Sequence, residues 1–157
     1  MQRILVVDDA ELNREMLAEM LSGEYLIEMA EDGEQALQRL AEHPADTVAV
    51  LLDLQMPKKD GFSVIAEMRE GGFMQRIPVL IISGEQAVEI ENQCFELGVS
   101  DFVHKPFVGS IVKNRIRNAI ELFAYKNQLE QKVEEQEETL KKQYQIIRRQ
   151  EEKQREE

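Results

Sequence analysis

The 157-residue chain has no tryptophan, one cysteine and two histidines, and each shortage narrows the possible chemistry. A single cysteine cannot form an internal disulfide, which fits the reducing cytoplasm, so we expect a cytoplasmic protein. Cys94 lies beside Phe95 on a predicted helix and is interpreted as small core filler rather than as a reactive thiol. His43 and His104 fall in different loops or strand ends, which argues against a histidine-based metal or hydrolase site.

Positive charge is also scarce, with 19 Lys and Arg against 31 Asp and Glu and a formal net charge of −12. Phosphate backbones repel such a chain, so we expect no direct binding of nucleic acid. No apolar run approaches the roughly 20 residues of a membrane span. We therefore expect no membrane association and, because Met1 leads directly into a short strand-like run, no secretory signal. Glycine-rich phosphate loops, CxxC pairs and HExxH elements are missing too.

Short apolar runs alternate with helical patterns over about the first 125 residues. The predicted strands are residues 4–7, 25–30, 48–52, 79–82 and 101–103. The predicted inner helix faces carry Leu12, Met16, Leu17, Met20 and Leu21; Ala36, Leu37, Leu40 and Ala41; Val64, Ile65 and Met68; and Ala87, Ile90, Cys94 and Phe95, with a fifth helix from Phe107. This alternation predicts an α/β fold, a five-stranded parallel flavodoxin-like sheet of order 2-1-3-4-5 flanked by five helices.

The last helical pattern continues without Pro or Gly from Asn114 to the end of the chain. Apolar residues fall near heptad spacing, with glutamines at intervening positions: Leu122, Leu129, Val133, Leu140 and Ile147, with Gln136, Gln143 and Gln150. We divide the chain into a domain of residues 1–123 and a helical extension of residues 124–157, a coiled coil that pairs in a parallel dimer. A solvated, fraying helix or a disordered segment is the alternative for this glutamine- and glutamate-rich stretch.

Three carboxylates follow two strands that are neighbours in this sheet order. Asp8 and Asp9 come directly after the first strand and Asp53 directly after the third, so they are predicted to converge at one edge. Clustered carboxylates repel each other unless a cation joins them, and oxygen ligands suit Mg²⁺. Taken singly, Asp9 is equally well explained as a helix N-cap and Asp53 as a turn residue.

Two further residues are predicted at the same edge. Ser83 follows the fourth strand and Lys105 lies just beyond the fifth, before Pro106. An ammonium neutralises a transferred phosphoryl group and a hydroxyl donates to one of its oxygens. Carboxylate nucleophiles form acyl phosphates, and phosphoryl transfer depends mostly on positioning and on charge neutralisation. Singly, Ser83 is also a candidate helix cap and Lys105 an ordinary loop lysine.

The motifs together resemble the receiver domain of two-component response regulators from about residue 3 to residue 123. The matching residues are Asp8-Asp9, Asp32-Gly33, Ala36-Leu37, Asp53, Met56-Pro57, Asp60-Gly61, Ser83-Gly84, Gly98 to Phe102, and Lys105-Pro106-Phe107. The resemblance implies that Asp53 accepts a phosphoryl group from a phosphohistidine on a sensor histidine kinase or phosphotransfer protein. It also implies that Asp9, Asp53 and the backbone carbonyl of Gln55 hold Mg²⁺, with Asp8 contributing directly or through water.

The same resemblance gives roles to residues around the phosphoacceptor. Ser83 would donate to the phosphoryl group, Lys105 would pair with it, and Phe102 would be an aromatic switch that follows Ser83. Phe102 as a simply buried aromatic is the alternative. The Lys105-Pro106 bond is often cis in the family, and Gln55 and Glu85 fall at positions that tune phosphoryl lifetime.

Three functions remain open to test. The first is a signalling switch that relays phosphorylation through helix five, as a homodimer, to the helical linker and an output partner or domain. Residues 118–130 resemble linkers that precede HD-type phosphodiesterases or diguanylate cyclases. The second is a metal-dependent phosphohydrolase, which the adjacent Asp8-Asp9 pair disfavours, since those enzymes usually space their acids as DxD. The third is a structural module that never meets phosphate.

Overall fold

The computed structural model describes residues 1–56, 60–84 and 87–156. The strands are β1 (Arg3–Val7), β2 (Leu26–Ala30), β3 (Thr47–Leu52), β4 (Val79–Ser83) and β5 (Asp101–His104). The α-helices are α1 (Glu11–Leu21), α2 (Gly33–Glu42), α3 (Gly61–Glu70), α4 (Val88–Glu96) and α5 (Gly109–Glu156), and a short 3₁₀ helix spans Phe73–Gln75. Pro57 and Glu85, which the sequence analysis singled out, lie outside the described residues.

The five strands form one parallel sheet in the order β2-β1-β3-β4-β5, which confirms the flavodoxin-like prediction. The inner strand β1 pairs with both β2 and β3, and Val7, its last residue, is in register with Ala30 and Leu52. The carboxyl ends of β1 and β3 therefore stop side by side. Residues that follow these two strands are placed at the same edge of the sheet.

The three inner strands are apolar except at one terminal residue each, Arg3 of β1, Thr47 of β3 and Ser83 of β4, because both faces of the sheet are covered by helices. Alternate side chains enter two separate cores. One core contains Leu5 and Val7 of β1 with the inner faces of α2, α3 and α4. The other contains Ile4 and Val6 with the inner faces of α1 and α5. Cys94 is fully buried in the first core, as predicted.

Several predicted inner-face residues are instead exposed, and helical geometry explains this. Leu12 lies five residues before the buried Leu17, which places it about 140° away around the helix at about 100° per residue. Ala41 has the same offset from the buried Ala36 and is exposed. Met16 and Phe95 each lie about 100° from a buried neighbour and are about two-fifths exposed. The predicted faces of α1, α2 and α4 were therefore too wide.

Two helix boundaries also differ from the prediction. Helix α4 begins at Val88, and Ala87 is its exposed N-cap residue rather than part of the inner face. Helix α5 begins at Gly109 rather than at Phe107. The Phe107 side chain packs against the second core from the preceding loop, so its apolar character reflects loop packing and not a helix start.

Backbone contacts divide the chain into two compact units, Met1–Glu121 and Leu122–Glu157. The described part of the second unit is helical throughout, and its apolar side chains are exposed except for the half-buried Phe123. The division into residues 1–123 and 124–157 stays a prediction. Among the described residues, no helix combines the length and the apolar character that crossing a membrane requires.

Candidate functional site

Three aspartates meet where β1 and β3 end. Carboxylate oxygens of Asp8, Asp9 and Asp53 all lie within 4.8 Å of one another. Asp8 and Asp53 are buried, at 2% and 6% exposure, whereas Asp9 is exposed. Asp9 does not cap α1, because the N-cap residue is Ala10 and no side-chain cap is present there. The structure therefore brings together the three acids that the sequence predicted to converge.

Asp8 is fixed by hydrogen bonds to the turn and to helix α1. Its Oδ1 accepts from the Ala10 amide at 2.9 Å, and its Oδ2 accepts from Asn13 Nδ2 at 3.3 Å. Its backbone carbonyl accepts from Arg14 Nη1 at 2.8 Å. Arg14 is buried although it is charged, and it was not predicted as a site residue. The sequence does contain one indication of this burial. Arg14 lies three residues before Leu17, and this spacing places both side chains on the inner face of α1.

Asp53 sits in a turn that is held by backbone hydrogen bonds. Its amide donates to the carbonyl of Val7 at 2.9 Å, and its Oδ1 accepts from the Gln55 amide at 3.3 Å. The Gly61 amide donates to the carbonyl of Leu54 at 2.9 Å. A Cβ on Gly61 would lie 2.7 Å from Leu54 Cα and 2.8 Å from the Asp53 carbonyl oxygen. Glycine is required there because the turn after β3 lies against the start of α3.

Lys105 and Ser83 come to the site through the pairing of β4 with β5. The Lys105 amide donates to the carbonyl of Ser83 at 2.9 Å, and Ser83, the last residue of β4, is fully buried. Lys105 Nζ lies 3.2 Å from Asp8 Oδ2 and 3.4 Å from Asp53 Oδ2. The Lys105-Pro106 peptide bond is cis, as the resemblance predicted. One ammonium thus contacts both buried carboxylates.

The charge balance of the cluster is negative. Burial raises the pKa of the Asp53 carboxyl above its ordinary value, and the Asp8 carboxylate raises it further, while the Lys105 ammonium and the Gln55 amide lower it. Three carboxylates face one ammonium, so two negative charges remain. Carboxylate oxygens this close together, two of them buried, are a suitable donor set for a small divalent cation such as Mg²⁺.

The aromatic and imidazole side chains of β5 lie beyond the acids. Phe102 is 4% exposed and belongs to the first core, and its ring centroid is 4.9 Å from that of His104. His104 Nε2 lies 3.5 Å from Glu91 Oε2 on α4. The His104 imidazole therefore lies against Phe102 and α4.

A second group of metal-binding residue types lies on β2 and α2, formed by Glu28, Glu42 and His43. Its carboxylates are already paired with guanidinium groups. Glu28 lies 3.7 Å from Arg3 and 3.8 Å from Arg39, which in turn is 3.9 Å from Glu42. We therefore assign no metal to this group.

Residues 4–121 match the family described as the response regulator receiver domain. The chain belongs to this family. As a receiver domain it is a module of two-component signalling, which agrees with the resemblance stated from its motifs. Similar curated proteins include "Response regulator RR06" of Streptococcus pneumoniae, 36% identical over 74% of this chain and 52% of that protein. "Response regulator PleD" of Caulobacter vibrioides is 37% identical over 74% of this chain and 25% of its own length.

Another similar protein is a "Probable cyclic di-GMP phosphodiesterase" of Vibrio cholerae, 36% identical over 75% of this chain and 26% of that protein. The receiver domain thus spans about half or less of the length of these relatives. Among solved structures, CheY in the CheX-CheY-BeF3-Mg complex of Borrelia burgdorferi is similar, with a TM-score of 0.70 and 28% identity over 74% of this chain and 87% of that chain.

Proposed function

We propose that Asp53 is the phosphoacceptor of this receiver domain and that its donor is a phosphohistidine on a sensor histidine kinase or phosphotransfer protein. The observation that carries the proposal is the position of the Asp53 carboxylate, which is buried 3.4 Å from Lys105 Nζ and clustered with Asp8 and Asp9. Family membership supports the same assignment.

The transfer is a displacement at phosphorus. An Asp53 carboxylate oxygen bonds to phosphorus while the phosphorus–nitrogen bond to the donor imidazole breaks, and the bonding electron pair leaves with the imidazole nitrogen. The product is an acyl phosphate on Asp53. Lys105, which pairs with Asp53 Oδ2 before the reaction, pairs with the phosphoryl oxygens after it. The Ser83 hydroxyl donates to another of these oxygens.

Mg²⁺ is the proposed cofactor, and Asp8, Asp9, Asp53 and the carbonyl of Gln55 would hold it. Bound there, it would neutralise charge on the phosphoryl oxygens. The support is the uncompensated negative charge of the cluster and the CheY relative whose complex contains BeF3 and Mg. Asp8 stays anchored by Arg14, Asn13 and Ala10 whether or not phosphate is present.

The signal is proposed to leave the site through Ser83 and Phe102. Phosphorylation adds close to two negative charges at this edge. Ser83 would move toward the phosphoryl group, and Phe102 would move into the space that Ser83 leaves. Phe102 lies two residues before His104, the register partner of Ser83 on β5. Helix α5 is tied to the same strand by Arg115, whose Nη1 lies 3.0 Å from Asp101 Oδ1.

Helix α5 runs on to Glu156, so we propose that it carries the change to the helical extension, to a homodimer formed through helix five and the tail, and to an output partner or domain. Relatives named as a cyclic di-GMP phosphodiesterase and as response regulators support an output of that kind. The site of action is proposed to be the cytoplasm, where the free, buried Cys94 stays reduced.

The deciding experiment is the intact mass after incubation with Mg²⁺ and acetyl phosphate. The unaltered protein should gain about 80 Da, the mass of one phosphoryl group, and lose it in hydroxylamine, which cleaves acyl phosphates. Asp53→Asn should gain nothing. Asp60→Asn is the matched control, since Asp60 is an exposed N-cap residue of α3 and Asn also caps helices. The proposal is contradicted if Asp53→Asn gains the phosphoryl mass, or if the unaltered protein and Asp60→Asn both fail to gain it.

A further inference from the structure

The second compact unit presents an apolar stripe that nothing in its own helix covers. Leu122, Leu129, Val133, Leu140 and Ile147 are between 45% and 70% exposed. Left exposed, these side chains do not stabilise the helix, because helices of proteins are stabilised mainly by packing their apolar face against a partner. Successive members are seven, four, seven and seven residues apart, which is the heptad spacing of a coiled-coil seam.

The seam has a single consistent heptad assignment. The a positions are Lys126, Val133, Leu140, Ile147 and Gln154, and the d positions are Leu122, Leu129, Gln136, Gln143 and Gln150. β-branched residues occupy two a positions, and leucine occupies the first two d positions. Parallel coiled coils with β-branched a residues and leucine at d prefer two strands.

The residues that flank the seam are segregated by charge. Every charged residue at the e positions is acidic, namely Glu130, Glu137 and Glu151. Every charged residue at the g positions is basic, namely Lys132 and Lys153. A parallel in-register pair places g of one helix against e of the next heptad on its partner, so Lys132 meets Glu137 and no like charges meet between e and g positions. The like charges that do meet are those of Lys126 and its counterpart, at the first a position of the seam. An antiparallel pair places e against e and g against g, which repel.

The outer positions carry a different pattern. Basic residues from Lys141 to Arg149 follow acidic residues from Glu134 to Glu138, and an antiparallel pair would align these two segments. Most of these residues occupy the b, c and f positions, which point away from the partner. Charges there are separated by more than the screening length of about 8 Å at physiological salt, so the contacts at e and g decide the orientation.

We propose that residues 122–154 form a parallel, in-register, two-stranded coiled coil with a second copy of this chain. The inference rests on the homodimer of the proposed function and on the parallel pairing predicted from the sequence, and it adds the register, the seam residues and the e–g contacts that select this orientation. Five of the ten seam layers are then polar, each formed by a residue and its own counterpart: Lys126, Gln136, Gln143, Gln150 and Gln154. Polar layers of this kind fix register and weaken the dimer, which suits an element that must respond to a signal.

Disulfide trapping in the full chain tests the register. Gln143→Cys places a thiol in the seam, and Gln145→Cys, two residues along, places one at an outward f position. Under mild oxidation with a glutathione buffer, Gln143→Cys should form a covalent dimer and Gln145→Cys should stay largely monomeric, because a disulfide needs Cα atoms within about 7 Å. Cys94 is buried, so the unaltered protein gives the background.

An antiparallel pair gives a different result. With residues 122–154 fully overlapped, Gln143 would lie opposite Val133 and about 15 Å along the axis from its own counterpart. No preference for Gln143→Cys over Gln145→Cys therefore overturns the proposal. A trimer or a monomer by sedimentation equilibrium at tens of micromolar overturns it as well.

A second pair of variants tests the seam without cysteine. Gln143→Leu should tighten the dimer at least about tenfold, because it replaces a polar layer by an apolar one, and Gln145→Leu should leave the dissociation constant unchanged. Equal effects of the two changes contradict the assignment. The same proteins are also labelled with acetyl phosphate, which tests the phosphoacceptor proposal independently. A protein that is phosphorylated but monomeric would refute the coiled coil and leave the phosphoacceptor proposal standing.

Discussion

Arg14 Nη1 donates to the backbone carbonyl of Asp8 at 2.8 Å from a buried position on α1. Its other terminal nitrogen, Nη2, lies 3.9 Å from Glu31 Oε1, just after β2. One guanidinium therefore joins the turns that follow two adjacent strands. The Arg14 side chain reaches the acidic cluster through the backbone carbonyl of Asp8.

Replacing Arg14 should loosen this turn. Arg14→Met keeps much of the apolar stem but leaves the Asp8 carbonyl without its donor, so we expect the free energy of unfolding to fall by about 1–3 kcal/mol. The Mg²⁺ concentration needed for half-maximal thermal stabilisation should rise, because Asp8 is less well positioned. Urea unfolding and melting curves across an Mg²⁺ series measure the two effects.

Arg39→Met is the matched control for that experiment. Arg39 pairs with Glu28 and Glu42 on a partly exposed surface, so its loss should cost at most about 1 kcal/mol and should not shift the Mg²⁺ response. Arg14→Lys should recover part of the Mg²⁺ response, since an ammonium can also donate to the carbonyl. Equal Mg²⁺ titrations for Arg14→Met and Arg39→Met would mean that Arg14 is only structural.

A methyl group at Gly61 should disturb the phosphoacceptor turn. The added Cβ of Gly61→Ala would overlap Leu54 Cα and the Asp53 carbonyl oxygen, both backbone atoms, so the turn must shift. We expect a loss of about 1–3 kcal/mol in the free energy of unfolding, together with slower labelling by acetyl phosphate. Gly23→Ala meets no atom within 4 Å and should be neutral or slightly stabilising. If both variants unfold at the same urea concentration, the close backbone approach at Gly61 does not contribute to the free energy of unfolding.

Cys94 should be unreactive in the native protein. Burial raises the pKa of its thiol, Glu91 raises it further, and the side chain has no exposed surface. Because the thiolate is the reactive form, iodoacetamide at pH 8 should modify Cys94 only after unfolding in urea. The second thiol of Gln145→Cys provides the exposed control in the same molecule. Modification of both thiols at similar rates without urea would show that the first core opens readily.

The sheet and the convergence of the acids could be predicted because they follow from local pattern. Apolar runs such as residues 79–82 are buried on both faces, and residues that follow neighbouring parallel strands meet whatever the helices do. The same reasoning identified Lys105, whose amide bonds to the Ser83 carbonyl by simple continuation of the β4–β5 pairing.

What the sequence did not reveal depends on angles and on contacts between distant residues. The apolar character of Ala41 predicts an inner-face position. Ala41 is exposed because it lies about 140° around the helix axis from the buried Ala36. Arg14 was passed over because a charged residue on a helix is usually exposed. Its burial depends on the carbonyl of Asp8 being in reach, which only the folded turn establishes.

Asp53 should destabilise the metal-free protein at neutral pH. The pKa of its carboxyl is raised in the folded state, mainly by burial. The Lys105 ammonium lowers this pKa and the Asp8 carboxylate raises it. Between the unfolded pKa of about 3.9 and the higher folded value, the native state therefore binds more protons than the unfolded state. The free energy of unfolding contributed by this group falls as pH rises through that window and stays low above it. Asp53→Asn should accordingly be more stable than the unaltered protein at pH 7 in EDTA.

The gain from Asp53→Asn should shrink as pH falls from 7 to 4, because the raised pKa makes the folded carboxyl take up a proton before the unfolded one does. The gain should also shrink when Mg²⁺ is added at pH 7. Mg²⁺ should stabilise the unaltered protein more than Asp53→Asn, because the variant lacks the Asp53 carboxylate that would bind the ion. Asp60→Asn, at an exposed helix cap, should show neither dependence. Urea unfolding at pH 4 and pH 7, with EDTA or with Mg²⁺, measures all four conditions. A gain that is the same at both pH values would place its origin in packing rather than in the charge of Asp53.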